Sequence, residues 1–189
     1  MNVLGVLWHS TGANNPNLKR YVQPSSNDAN YTALMNKLGK NQYGNDWNHI
    51  TRQAGLNCWI GKLADGTVTT IQTMPWDYRP WGCGAGSKGS CNDGWIQFEI
   101  CEDGLKDKTY YTNAFNVAAE YCAHLCKQYN ISVDNIVGHC EAYRLGYGCN
   151  HSDPEHWMKR FGENMQDFRQ KVTDILKADE NKTIKTSVD

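Results

Sequence analysis

Between residues 136 and 157 the stretch IVGHCEAYRLGYGCNHSDPEHW gathers three histidines, two cysteines, two glutamates and an aspartate. Such a mixture can hold a metal ion, staple a loop through a disulfide, or make a crowded polar loop. His139 follows a short apolar strand, and Asp153 comes 14 residues later with His151 two before it. Residues two apart in extended chain point the same way. Near the other end of the chain, His9 closes the apolar run NVLGVLWH and precedes the small polar pair Ser10-Thr11. A catalytic metal site uses three N, S or O donors from separate segments and leaves a fourth position for water. His9, His139 and Asp153, each beside a strand end or a helix start, are candidates for that set. The alternatives are ordinary: a satisfied core histidine, and an aspartate before proline that caps a helix. Glu99 brings a second kind of chemistry, because a carboxylate on the otherwise apolar run WIQFEI costs free energy to bury uncompensated. Beside metal-activated water it would serve as general base. Gln97 shares its face, so a face open to water explains it equally well.

These residues need a scaffold, and the pattern around them is α/β. A strand is expected over NVLGVLWHS and another over WIQFEICE, with Ile96, Phe98 and Ile100 on one face and Gln97, Glu99 and Cys101 on the other. Two β-rich runs flank Asp65-Gly66, a hairpin dipeptide. Ser/Asp capping, Leu34 and Leu38 one turn apart, and a closing Gly39 predict a helix over 26–39. Phe115, Ala118, Ala119, Cys122, Leu125, Cys126 and Tyr129 predict a longer one over 112–129, with Thr112 as its cap. A helix opened by Asp153-Pro154 carries Trp157, Phe161, Met165, Phe168, Val172 and Ile175, with a break at Gly162. Glycines, prolines and tryptophans make 75–95 a loop. Residues 1–176 are expected to form one domain, and the polar residues 177–189 a disordered tail or linker.

A chain of 189 residues with 40% hydrophobic and 21% charged residues suits one soluble globular domain. The net charge of −1 argues against a nucleic-acid partner. The N-terminus lacks the basic region, apolar run and cleavage site of a signal peptide, and no run approaches the ~18 apolar residues of a membrane span. The expectation is a protein made in the cytoplasm, with no membrane insertion. Eight cysteines without a CxxC spacing are read as mostly reduced and buried, Cys83 and Cys91 being the pair most open to question.

Taken together, LWHST, MPWDYRPWGCG, WIQFEICED, GHCE and HSDPEHW resemble the type-2 N-acetylmuramoyl-L-alanine amidases, the zinc-dependent fold shared by phage endolysins and peptidoglycan recognition proteins. The likeness spans about residues 3–175. It implies a single domain with a central mixed β-sheet flanked by helices, and bacterial peptidoglycan as the partner. It implies Zn²⁺ as cofactor, with His9, His139 and Asp153 on the three metal positions and Glu99 on the catalytic glutamate. His151 falls where many relatives carry a lysine that stabilises the transition state, which also makes it a rival to Asp153 as ligand. Many relatives have Trp-His-Ala-Gly where this chain has Trp81-Gly82-Cys83-Gly84. The implied reaction is hydrolysis of the amide between N-acetylmuramic acid and L-alanine, as in an endolysin or autolysin that meets the wall once the membrane is opened. A receptor that binds peptidoglycan without cleaving it is the alternative. Trp76, Tyr78 and Trp81 are candidate groove walls for sugar or peptide, against core packing for two of the aromatics of this stretch. The polar tail suggests a wall-binding domain beyond it.

Overall fold

Six residues of alternating inward and outward side chains, Gly5–Ser10, form β1, and the sheet is completed by β2 (Cys58–Lys62), β3 (Val68–Gln72), β4 (Trp95–Ile100) and β5 (Ile136–Gly138). The computed structural model describes residues 2–188, and side chains for 2–182. The strand order is β3-β2-β4-β1-β5. β2, β4, β1 and β5 are parallel, and β3 returns antiparallel at the edge. That return is the Asp65-Gly66 turn: Asp65 accepts from the Thr67 N–H, and Gly66 takes the left-handed conformation with φ +87°.

Even-numbered residues of the central strands point to the helix side. Val6, Trp8, Ile96, Phe98 and Ile100 are fully buried there against α2 (Lys108–Tyr129) and the last helix, α5 (Met165–Val188). The Trp8 ring lies 4.7 Å from Phe115 and 4.2 Å from Phe168. Three short helices, α1 (Tyr31–Leu38), α3 (His139–Leu145) and α4 (Glu155–Arg160), complete the fold. Odd-numbered residues point to a face covered mainly by loops and α3, where Leu7, Cys83, Cys91, Val137 and Ala142 form one apolar cluster and Tyr21, Leu56 and Trp59 belong to another. His9, Gln97 and Glu99 share that face. Among the described residues no helix is long and apolar enough to cross a membrane.

Several boundaries differ from expectation for local reasons. α1 begins at Tyr31, because Asp28 folds residues 26–30 into turns, accepting from the Asn30 N–H at 2.7 Å. α2 starts before Thr112: the Asp107 carboxylate accepts from the N–H groups of Thr109 and Tyr110 and caps the helix one turn earlier. The chain after His139 is helical as α3, although the loop was expected to begin there. Gly162 does separate α4 from α5. After Leu176 the chain continues as α5 to Val188, and Asp179 pairs with Lys127 of α2 at 2.5 Å. A helix already nucleated by packing extends at little cost through good helix formers such as Lys, Ala and Glu.

Candidate active site

His9 ends the apolar part of β1, and its register partner on β4 is Glu99. His139 opens α3 directly after β5, the neighbour of β1 on its other side. Asp153 reaches the same place from the loop before α4. Its backbone carbonyl accepts from the Cys140 N–H at 3.0 Å, and its Oδ2 accepts from the Ser10 N–H at 3.3 Å. Gly138 permits this approach, since a Cβ there would stand 2.6 Å from Pro154 Cδ. Behind the site, Glu141 accepts the Gly138 N–H and is held by both terminal nitrogens of Arg169 at 2.9 and 3.0 Å, pinning the start of α3 to α5.

Three buried donors converge here. His9 Nδ1 is 3.1 Å from His139 Nδ1 and 3.4 Å from Asp153 Oδ2, and His139 Nδ1 is 3.5 Å from Asp153 Oδ1. A tetrahedral ion with bonds of about 2.0–2.1 Å sets its ligands about 3.3 Å apart. The trio therefore has the edge lengths of a zinc-sized site, and its two imidazoles and one carboxylate are donor types that zinc accepts. Asp153 does not cap α4, whose N-cap is Pro154 without a side-chain bond. Burial would raise the Asp153 pKa, but His139 and His9, when protonated, donate to the carboxylate and their charge outweighs burial, holding the carboxyl well below the usual range.

A second trio, His139, Cys149 and His151, lies against the first. Cys149 Sγ is 3.5 Å from His139 Nε2. The His139 and His151 rings stack at 4.3 Å with 6° between their planes, so their in-plane lone pairs run side by side and do not converge on one ion. His151 is also 56% exposed. Its Nδ1 lies 3.3 Å from Asp153 Oδ1, at the solvent edge of the site. Of the two groups, only the trio of His9, His139 and Asp153 is buried throughout.

Glu99 is partly open to solvent, but its pKa is raised well above the ordinary value. Burial is the largest cause, then the charge of Asp153, with Glu102 adding and His139 opposing. At Gln97 the face the two share is not wet, because Gln97 is fully buried and bonded on every side. Glu102 extends the polar network, accepting from Ser10 Oγ at 2.6 Å and lying 2.9 Å from His156 Nε2.

All eight cysteines are free. A hydrogen bond from Cys91 lowers the Cys83 pKa to about 6 against the opposing effect of burial, and the Cys91 thiol is correspondingly raised. The aromatic candidates divide. Trp76 is half-buried and packs against the helix-side core, its ring 6.2 Å from Tyr121 of α2. Tyr78 and Trp81 are 62% and 53% exposed, and Trp81 pairs through its backbone with Gly55 directly before Gly82. A Cβ at 82 would collide with Gln97 Oε1 and stand 2.5 Å from Leu56 Cδ2, with His9 Nε2 at 3.2 Å, so any side chain there must push these groups aside. The contacts of Gln97, Cys149 and Glu102 were not anticipated, although the polar positions within WIQFEICED were a signal for two of them.

A family model described as N-acetylmuramoyl-L-alanine amidase matches residues 1–156. The protein Ami of Listeria monocytogenes serotype 1/2a is 28% identical over 118 residues, which cover 57% of this chain and 12% of that protein. The chain thus spans about an eighth of the length of that curated relative. The structure of the Staphylococcus aureus hydrolase AmiA, solved with its ligand, matches with a TM-score of 0.63 and 20% identity, covering 96% of this chain and 76% of that one. A mutant endolysin from Bacillus subtilis matches with a TM-score of 0.52 and 19% identity, over 90% and 86% of the two chains. These likenesses show a common fold.

Proposed function

Because this chain belongs to the N-acetylmuramoyl-L-alanine amidase family, we propose that it hydrolyses the amide joining N-acetylmuramic acid to L-alanine in peptidoglycan, using a zinc ion held by His9, His139 and Asp153. The observation that carries this reading is the buried trio with donor separations of 3.1, 3.4 and 3.5 Å. Zinc bound there supplies Lewis acidity, polarising a carbonyl and lowering the pKa of water toward ~7.

The chain's own groups do the rest. Glu99, on the strand beside His9 and with a raised affinity for protons, accepts the proton of the attacking water and returns one to the departing alanine amine. His151 stands at the exposed edge of the trio, where its ring donates to the carbonyl oxygen as negative charge gathers on it. Asp153, kept ionised, fixes both ligand histidines and ties the loop before α4 to β1 through Ser10. Trp81 and Tyr78 offer exposed aromatic faces to sugar or stem peptide. Cleavage of the wall by an endolysin or autolysin, reached from the cytoplasm after the membrane opens, is the setting we propose. The test is metal analysis of the purified protein together with mass spectrometry of fragments released from isolated walls. Stoichiometric zinc and stem peptides with a free L-alanine N-terminus are expected. Zinc-loaded protein that binds walls and releases nothing would point to a receptor instead.

A further inference from the structure

The atoms around the Gln97 amide can be paired in only one way. Asn92 Oδ1 accepts from the backbone N–H groups of Gly82 at 3.1 Å and Cys83 at 3.2 Å, which fixes its oxygen toward the interior. Gln97 Nε2 faces that oxygen at 2.9 Å and the carbonyl oxygen of Cys91 at 3.0 Å. Both partners only accept, so both amide hydrogens are donated there. Gln97 Oε1 is then left facing His9 Nε2 at 3.0 Å, and an amide oxygen can bond only an N–H. A neutral His9 therefore carries its proton on Nε2 and turns a bare Nδ1 toward His139 Nδ1 and Asp153 Oδ2. The assignment ends on backbone N–H and C=O groups, whose polarity admits no alternative.

We infer that Gln97 is a positioning residue that sets the tautomer of His9 for metal binding, and that Gly82 is bare so that Gln97 can reach it. The inference rests on the zinc reading above. A Cβ at position 82 would collide with Gln97 Oε1, displacing the atom that holds the ring. Partners of this kind orient metal-ligating histidines, and their loss typically lowers metal affinity by about 10–100-fold.

Two measurements test it. In metal-free wild-type protein with ¹⁵N-labelled histidine, at a pH where the ring is neutral, long-range ¹⁵N–¹H NMR should place the His9 proton on Nε2. A proton on Nδ1 would overturn the inference. In competition with a chromophoric chelator, Gln97→Met, which keeps the volume without an acceptor, should bind zinc about 10–100-fold more weakly. Gln97→Glu, which as a neutral acid can still donate to Asn92 Oδ1 or the Cys91 carbonyl while accepting from His9, should recover part of that loss. In the cobalt-substituted protein the Gln97→Met visible bands should shift. Zinc affinity equal to wild type in folded Gln97→Met would sink the idea. Should that variant fail to fold, Gly82→Ala keeps every hydrogen-bonding group and is expected to weaken zinc in the same direction; unchanged affinity there overturns it as well. Wild-type protein that binds no zinc refutes the metal reading instead, and the NMR result then decides for Gln97.

Discussion

Glutamine at position 99 is expected to move activity and stability in opposite directions. In the unfolded chain Glu99 ionises near its ordinary pKa of 4.5, while in the folded chain burial and the charge of Asp153 raise it well above that value. Folding thus favours the protonated carboxyl. Its stabilisation is complete below about pH 4.5 and is lost as pH rises toward the folded pKa. Each unit of displacement is worth about 1.4 kcal/mol, so the loss at pH 7 is bounded at roughly 3–4 kcal/mol. Glutamine has the same shape and does not ionise. E99Q should therefore match wild type near pH 4 and become progressively the more stable protein by pH 7. Urea midpoints of chelator-treated protein measure this, since bound metal would offset the charge of Asp153. Turnover should fall about 10²–10⁴-fold, equivalent to about 3–5 kcal/mol of transition-state stabilisation. A stability gap that is equal at pH 4 and pH 7, or that favours wild type at pH 7, would refute the argued ionisation cost. Turnover within tenfold of wild type would refute the proton-transfer role.

Asp153→Ala should abolish stoichiometric zinc in metal analysis, whereas His151→Ala should keep the metal and lose about 10²–10³ in kcat; equal metal loss in both would make His151 a ligand. Trp76→Ala should cost about 2–4 kcal/mol in denaturant unfolding with little change in KM, because its ring is part of the packing against Tyr121. Trp81→Ala should stay within about 0.5 kcal/mol of wild type in stability and raise KM for wall fragments, and the reverse pattern would exchange the two roles. Gly138→Ala should lose about 1–3 kcal/mol and weaken zinc in chelator competition, since its methyl displaces Pro154 and with it Asp153.

The strands were legible because burial on one face imprints a period of two, as Ile96, Phe98 and Ile100 against Gln97 and Glu99 show. His9 stood out as a polar residue ending such a strand. The role of Asp153 was not settled by spacing alone: an aspartate before proline is a sound cap, and only the approach of residues 9 and 139 turns it into a donor. The resemblance supplied that choice. α3 escaped notice because HCEAYRL is short and its cohesion comes from Arg169, nearly 30 positions away. Trp76 and Trp81 have similar surroundings in sequence but differ in space, one packed against Tyr121 of α2 and the other half exposed beside Gly55. Gln97 looked like a solvated neighbour of Glu99 because its partners, Asn92 and the Cys91 carbonyl, belong to a loop whose course no local pattern predicts.

β5 is only three residues long and hydrogen-bonds to β1 alone within the sheet. Such a strand is prone to fray. The two histidines of the buried trio stand 130 positions apart in the chain, one on β1 and one at the exit of β5. An ion bound by both would be a late clasp: its donors come within reach only after the first strand has been laid beside the last. Metal uptake should then report completed assembly rather than guide it, and in the finished molecule it would fasten this weakest margin of the sheet.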